Sequence, residues 1–486
     1  MLATTELLGT GKPAPWLVDG RWEAPTGATS VTVTNPATNQ PVGRIAYAGA
    51  PQTAAAVDAA AAAFPAWADT APGQRAAVLQ RASEILASRA GEIGELLSAE
   101  TGKRRSEAVG EVNFSASYLR WFASAVREPH GHLLSPEDPS RRHLTLSRPV
   151  GVVASLTPWN FPVSIQARKV AAALAAGCSV VARASEKAPL AVAELFRALD
   201  DAGVAPGAVN LVQGPASECT DALLAHPAVR VVTFTGSTPV GSRLMAAASA
   251  RIVRCALELG GDAPFIIFAD ADIDAAVEGL MTAKFRNNGQ SCIAANRVLV
   301  ERPVFEEVAS RLAAACSAMS VGDPATNPEP DLGPLIDTAR VGAVRELVDE
   351  AVSGGARWLG DSPDVPEGAS FYRPGFLTDV PAGCALARTE VFGPVAAVVA
   401  FDGEDEALAL ANDTDLGLAG YFYTRDVSRV WRMSERLEVG IVGVNHPLPS
   451  VAFAPMGGVK HSGLGREGAR AGLEEFLDTR YVSLGL

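Results

Sequence analysis

The chain has 486 residues, and at roughly 150 residues per domain this length predicts about three domains and ample material for a large core. Hydrophobic residues make up 48% and charged residues 20%, which excludes a chain disordered by composition. Its 41 Lys and Arg against 54 Asp and Glu leave a net charge of −13, which excludes a nucleic-acid-coating surface but not a small anionic substrate, since that needs only one or two placed cations.

The N-terminal MLATTELLGTGKPAPW lacks a basic region followed by an apolar run, so no secretory signal is expected. Residues 50–125 read as helical: an alanine-rich surface helix at 54–63, then two longer patterns near 72–101 and 106–126. Residues 126–149 change character, with Pro129, Pro136, Pro139 and Pro149 and the basic pair Arg141 and Arg142. Within them HLTLSR alternates apolar and polar and predicts an exposed strand or arm. From Pro149 the pattern becomes regular. GVVASL predicts a strand, 163–176 a helix closed by Gly177, SVVAR a strand, 189–203 a helix and AVNLV a strand. A helix to about His226 follows, then the strand RVVTFT, a helix from near Thr238, and the strand RIVRCALEL. This alternation predicts a parallel, helix-covered sheet, which binds ligands at the carboxyl ends of its strands. The longest apolar stretch, 170–182, is too short to span a bilayer. Beyond Gly260 the pattern loosens and restarts around 297–301, and a second α/β unit is expected to about Asn445. The tail is Gly-rich from Gly457 and ends in a helix and the strand-like RYVSLGL, and no internal repeat is visible.

Six cysteines, Cys178, Cys219, Cys255, Cys292, Cys316 and Cys384, form no CxxC and no zinc-spaced cluster, so no metal is expected. They read as reduced thiols of a cytoplasmic protein. A lone cysteine is ordinarily a small buried apolar residue. Cys292, in FRNNGQSCIAANR, differs in context: Gly289 and Gln290 precede it, and it stands at the edge of an apolar strand, where a nucleophilic thiolate has access. Glu258 ends an apolar strand before Gly260 and Gly261, which fits a solvated strand end or a general base. In TPWNFP, Thr157 to Pro162, two prolines fix the backbone and Trp159 and Phe161 anchor it; Asn160 is then a turn cap or an oxyanion donor. FTGSTPVG, from Phe234 to Gly241, echoes a P-loop, but Ser242 and Arg243 replace the required Lys and Ser/Thr, so an ATPase is rejected. Such a turn at a helix N-terminus still suits a pyrophosphate. No GxGxxG follows the first strand of the sheet, so the residues alone leave the cofactor open.

In order, TPWNFP, LELGG, NNGQSCIAANR, EVFGPV and APMGGVKHSGLGREG closely resemble the NAD(P)-dependent aldehyde dehydrogenase superfamily over nearly the whole chain. The resemblance implies an α/β fold: a Rossmann-type parallel-sheet cofactor domain (1–125 and 146–258), an α/β catalytic domain (259–445) and a β oligomerisation arm (126–145 and 470–486), with 446–469 returning from the catalytic domain. It implies a homodimer or homotetramer, with no nucleic-acid or membrane partner. It makes Cys292 the nucleophile, Asn160 and the Cys292 N–H the oxyanion donors, and Glu258 the base that activates water. Glu390 and Phe392 would position the nicotinamide end. Thr157, Pro158, Trp159, Gly214, Phe234, Thr235, Gly236, Ser237, Val240, Leu259 and Gly260 would complete the dinucleotide site. Where the family usually has Lys-Pro before the acidic residue at the adenosine ribose, this chain has Arg183, Ala184, Ser185 and Glu186. Glu186 would repel a 2′-phosphate and Arg183 would attract one, so NAD is expected over NADP, with NADP as the alternative.

Within the superfamily the chain is most similar to succinate-semialdehyde dehydrogenases, whose matching positions place Arg168, Arg286 and Ser450 around the distal carboxylate of the substrate. The other reading of both arginines is as structural cations paired with nearby acids. Ala294 stands where that subfamily often has a second cysteine, so no local disulfide switch is expected, and His446 and Pro447 also depart from its pattern. The expected activity is oxidation of succinate semialdehyde to succinate without acylation of coenzyme A. The alternatives are glutarate semialdehyde or a general aliphatic aldehyde, and remotely a non-catalytic protein of this fold.

Overall fold

The computed structural model describes residues 14–23, 29–128, 131–368, 370–381 and 383–486. The N-terminal residues 1–13 and Pro129, both interpreted above, lie outside these. Five parallel strands centre the first sheet, ordered Val209–Val212, Ser179–Arg183, Val152–Leu156, Val229–Thr235 and Arg254–Glu258. They are Val- and Leu-rich and largely buried, as strands covered by helices on both faces must be. The chain builds from Val152–Leu156 toward one edge, then crosses back to add Val229–Thr235 on the other side. That reversal opens a crevice beyond the carboxyl ends of these two strands. A hairpin of Trp16–Val18 and Arg21–Glu23 extends one edge, and Gly463–Leu464, far along the chain, closes the other antiparallel to Arg254–Glu258.

The second sheet has seven strands, ordered Arg357–Trp358, Gly375–Thr378, Val395–Phe401, Ala295–Glu301, Ala263–Ile267, Ala419–Tyr423 and Ile441–Val444, parallel except for the first pair. The stretch after Gly260, which reads as loosened in the sequence, carries the interior strand Ala263–Ile267 and the helix Ile273–Phe285. The helix starts where the Asp272 carboxylate accepts the Ala275 N–H, and Gly279 leaves room for the Tyr423 hydroxyl. A glycine spent on packing weakens the apolar period by which a helix is recognised.

The third sheet joins Gly131–Leu134, Arg141–Pro149 and Leu477–Gly485 in antiparallel register. It contains HLTLSR, the expected exposed arm, and leaves Leu133, Leu484 and Leu486 exposed. The two longer N-terminal helical patterns resolve into three helices, Pro72–Ser88, Ala90–Thr101 and Arg105–Ala125. The helix Pro162–Ala176 is buried at every residue and ends, as expected, on Gly177 at φ 96°. Among the described residues no helix is long and apolar enough to cross a membrane, and no group of three His, Cys, Asp or Glu is placed to hold a metal ion.

Candidate active site

Cys292 is carried by a loop between the helix Ile273–Phe285 and the strand Ala295–Glu301. Asn287, Asn288 and Gly289 are all left-handed there, at φ 54°, 59° and 75°. Asparagine and glycine tolerate this conformation best, which gives the NNG run a physical reason. The loop is pinned: Asn288 donates to Pro334 O at 2.8 Å, and its side-chain oxygen accepts the Gly333 N–H at 2.9 Å. A Cβ on Gly289 would lie 2.2 Å from Gly393 O, and one on Gly261 2.1 Å from Cys292 O. The second glycine of LELGG therefore lets the end of one sheet approach the cysteine loop of the other.

That approach brings Glu258 to Cys292, whose thiol donates to Glu258 Oε1 at 3.8 Å. Cys292 keeps part of its surface open, yet burial among protein atoms pushes its thiol up to about 12, against the pull of Arg168. A thiol so held stays protonated at neutral pH and needs a base in contact, and Glu258 is that contact. The other Glu258 oxygen accepts Thr235 Oγ1–H at 3.2 Å and pairs with Arg168. Thr235, expected at the cofactor, thus holds the base.

Asn160 lies beside the same loop. Its side-chain amide donates to Gln290 O at 3.2 Å, two residues before the cysteine. Its own carbonyl accepts from Lys103 Nζ at 2.7 Å and Asn287 Nδ2 at 2.9 Å. Lys103 is ion-paired to buried Glu111, which also accepts the Val163 and Ser164 N–H groups at the start of the helix Pro162–Ala176. The backbone of the turn is fixed on three sides, and the side-chain amide is held against the cysteine loop.

The crevice at the strand reversal is a cavity of about 520 Å³ whose lining includes Leu156, Thr157, Arg183, Leu224, Phe234, Val240 and Leu244. Its walls are mostly apolar, as a slot for a flat base requires. At its rim Ser237 caps the helix Thr238–Ser249 with an extended backbone and no side-chain hydrogen bond to the helix end; Pro239 has no N–H and Val240 and Gly241 donate to Ser237 O, so the Thr238 N–H is the helix-start donor left for an anion. A Cβ on Gly236 would strike the Phe234 ring. Arg183 donates to Gly214 O at 3.1 and 2.8 Å and to Glu186 at 2.5 Å. Burial opposes ionisation of Glu186, but Arg183, a backbone N–H and Lys187 hold its carboxyl below the usual range. Ser185 Oγ accepts the Lys187 N–H. These residues fit a dinucleotide: an apolar slot, a helix end for the diphosphate, and an ionised carboxylate for ribose hydroxyls.

Toward Cys292, the Trp159 and Phe392 rings meet edge to face at 5.4 Å, following Pro158, and Lys187 ties to Asp337 of the second unit at 2.5 Å. Glu390 accepts the Gly261 N–H at 3.3 Å, and a Cβ on Gly260 would touch its other oxygen. Leu259 packs against Gly241. Of the expected cofactor residues, Thr157, Arg183, Phe234 and Val240 line the crevice, while Gly260 and Glu390 meet each other.

On the opposite side, Arg168 and the Ser450 hydroxyl both contact Met456 Sδ, at 2.8 and 3.5 Å. The Arg168 guanidinium is ion-paired with Glu258 and Glu467. Arg286 lies 5.0 Å over the Phe161 ring and makes no side-chain hydrogen bond or ion pair among the described residues. The sequence reading missed Glu467, Lys169, Lys103 and Glu111. Glu467 stands inside GLGREG, so the motif is visible while its pairing, 299 positions from Arg168, is not.

A thiol facing a carboxylate, together with a crevice at the strand reversal that fits a dinucleotide, is consistent with a dehydrogenase that oxidises carbonyl compounds. Residues 22–482 match the aldehyde dehydrogenase family, and the chain belongs to it. It is 43% identical to the mitochondrial succinate-semialdehyde dehydrogenase of Arabidopsis thaliana, covering 96% of this chain and 89% of that one. It is 40% identical to the glutarate-semialdehyde dehydrogenase of Pseudomonas aeruginosa, covering 96% and 97%. The crystal structure of an Escherichia coli NADP-dependent enzyme superposes with a TM-score of 0.95 at 40% identity, over 98% of both chains.

Proposed function

We propose that this protein oxidises succinate semialdehyde to succinate with a nicotinamide dinucleotide, through an acyl intermediate on Cys292 and without coenzyme A. The observation that carries this is the 3.8 Å contact between Cys292 Sγ and Glu258 Oε1. Glu258 takes the thiol proton, and the thiolate forms a C–S bond to the aldehyde carbon. The carbonyl oxygen becomes an oxyanion held by the Asn160 amide and the Cys292 N–H, each donor contributing about 10²–10³ in rate. A nicotinamide held at Glu390 and Phe392 would supply the acceptor for the hydride on that carbon, and Cys292 would then carry the thioester. Glu258, its first proton passed to solvent, draws one from water. The resulting hydroxide adds to the thioester carbon, and the Cys292–carbon bond breaks to release the acid. Glu390 and Phe392 orient the nicotinamide end, and Asn160 stays fixed throughout.

Arg168, Arg286 and Ser450 supply the clamp for a distal carboxylate, where charge-assisted hydrogen bonds contribute about 1.5–3 kcal/mol each. The unpaired guanidinium of Arg286 supports this more directly than Arg168, which is already paired. Glutarate semialdehyde, one carbon longer, is the second reading, and the Pseudomonas relative supports it. Steady-state kinetics on both semialdehydes and propanal test the clamp. Arg286→Ala should raise KM for the carboxylated aldehydes and leave propanal unchanged, and equal losses on all three remove it.

NAD is favoured over NADP because Arg183 donates to Gly214 O and Glu186, so its charge is already shared with a carboxylate and not offered whole to a 2′-phosphate. An unpaired carboxylate about 5 Å from a phosphate would repel it by roughly 3 kcal/mol at an effective dielectric of about 20, and the Arg183 pair leaves only part of that. The Escherichia coli structure is described as NADP-dependent, so the two kcat/KM values are the test; near-equality refutes the preference. Self-association through the exposed leucines of the third sheet completes the proposal, with light scattering of the purified chain as its measure.

A further inference from the structure

Four buried charges sit behind the thiol. Arg168 is ion-paired with Glu258 and with Glu467, and Glu467 is also paired with Lys169, which donates to Thr233 Oγ1 at 3.0 Å. Two cations balance two anions. One oxygen of Glu258 therefore bears two donors, Arg168 and Thr235, while the other faces Cys292. In this position Glu258 is aimed at the thiol. It is poorly placed for water, because the oxygen turned away from the thiol is already occupied by Arg168 and Thr235. Arg168 also turns an amino group toward Met456 Sδ, the atom that Ser450 contacts from the substrate side.

We propose that Arg168 is a positioning residue that couples recognition of the distal carboxylate to release of the base: a carboxylate bound at Arg168 displaces Glu258, which is then free to draw the proton from water. This rests on the reading of Arg168 as part of the substrate clamp. Release from Arg168 opens the second oxygen of Glu258 only when the correct substrate is present. An aldehyde without a distal charge still meets the thiol and acylates it, but leaves Glu258 tied to Arg168, and thioester hydrolysis becomes limiting.

The test divides succinate semialdehyde into its two halves, acetaldehyde and acetate, with rapid-mixing measurement of reduced cofactor on the full-length protein. Acetaldehyde alone should give a burst of about one equivalent per site, then turnover at least about tenfold slower than with saturating succinate semialdehyde. Added acetate should speed the acetaldehyde steady state severalfold and shrink the burst. Arg168→Met should abolish the acetaldehyde burst and raise KM for succinate semialdehyde, while Arg168→Lys, keeping the charge, should retain the burst. An acetate effect that is absent or inhibitory overturns the coupling, and so does a burst that persists in Arg168→Met. A raised KM with no acetate effect removes the coupling alone, whereas an unchanged KM removes the clamp beneath it. Should Arg168→Met fail to fold, the acetate measurement on the unmodified protein decides.

Discussion

On the aldehyde side of Cys292, Arg168, Lys169, Glu258 and Glu467 each have an ionic partner. On the cofactor side, Asp262, Lys284 and Glu390 form a second buried group that is only partly joined. Asp262 is paired with Arg297 at 2.9 Å and Glu390 accepts one N–H, but the buried Lys284 Nζ has no hydrogen-bond partner among the described residues. Burial lowers Lys284 to about 7, with Asp262 and Glu390 opposing, and the same cause raises Glu390 to about 7. On the aldehyde side Glu467 stays below the usual carboxylate range although burial works against it, because Arg168 and Lys169 face it. The two groups differ at their carboxylates: Glu467, faced by two cations, is held below the usual range, while Glu390 is raised to about 7. The lysines differ less, since burial lowers even the paired Lys169 to about 8.

The largest expected effect breaks the aldehyde side at its reactive member. Glu258→Gln should lower steady-state turnover by about 10²–10⁴, the usual contribution of a general base. Acyl mass on Cys292 in the intact protein should form more slowly in that variant, because the same carboxylate takes the thiol proton. Cys292→Ser should show no such adduct, and turnover close to the parent in either variant contradicts the assignment.

A second effect strikes the same group at its structural member. Glu467→Gln leaves Arg168 and Lys169 buried without their shared anion, and breaking a buried pair from one side costs about 3–5 kcal/mol. Urea unfolding followed by tryptophan fluorescence measures this. A loss below about 1 kcal/mol would mean that the pairing contributes no more than an exposed salt bridge.

The contrast between the two groups also marks where the sequence is legible. Buried strands such as VVASL and SVVAR, and the turn at Gly177, follow from local pattern, and the structure has them where the residues predict. Cys292, Glu258 and Asn160 are visible because each stands in a loop or strand end whose neighbours are chosen for geometry. The strand Ala263–Ile267 is less visible, since five residues with a proline carry little periodicity. That Arg168 pairs with acids is one of its two sequence readings, but which acids is not visible. Glu258 and Glu467 lie on segments 90 and 299 positions away, and only the closing of the first sheet by Gly463–Leu464 carries Glu467 to the site. Lys284 is hidden for the same reason: a lysine in a helix reads as a solvated face, and the layers that cover it come from other parts of the chain.

The smallest expected effect tests the cofactor side. A buried polar group without a hydrogen bond costs about 1–3 kcal/mol, so Lys284→Met, similar in size and apolar, should stabilise the protein by about that much at pH 7. The sign with pH is specific. Lys284 is lowered in the folded protein from 10.5 to about 7, so between these values the unfolded chain binds more protons, and stability rises with pH. The deficit of the unmodified protein relative to Lys284→Met should be full below about pH 7 and vanish by about pH 10.5. Lys284 also opposes the rise in Glu390, so its loss should shift Glu390 titration further upward. The pH at which KM for the cofactor begins to climb on acidification should move up with it. A stability difference that stays constant from pH 7 to 10 would show that Lys284 is neutral throughout, or that it has a partner. The cofactor side would then be as fully paired as the aldehyde side.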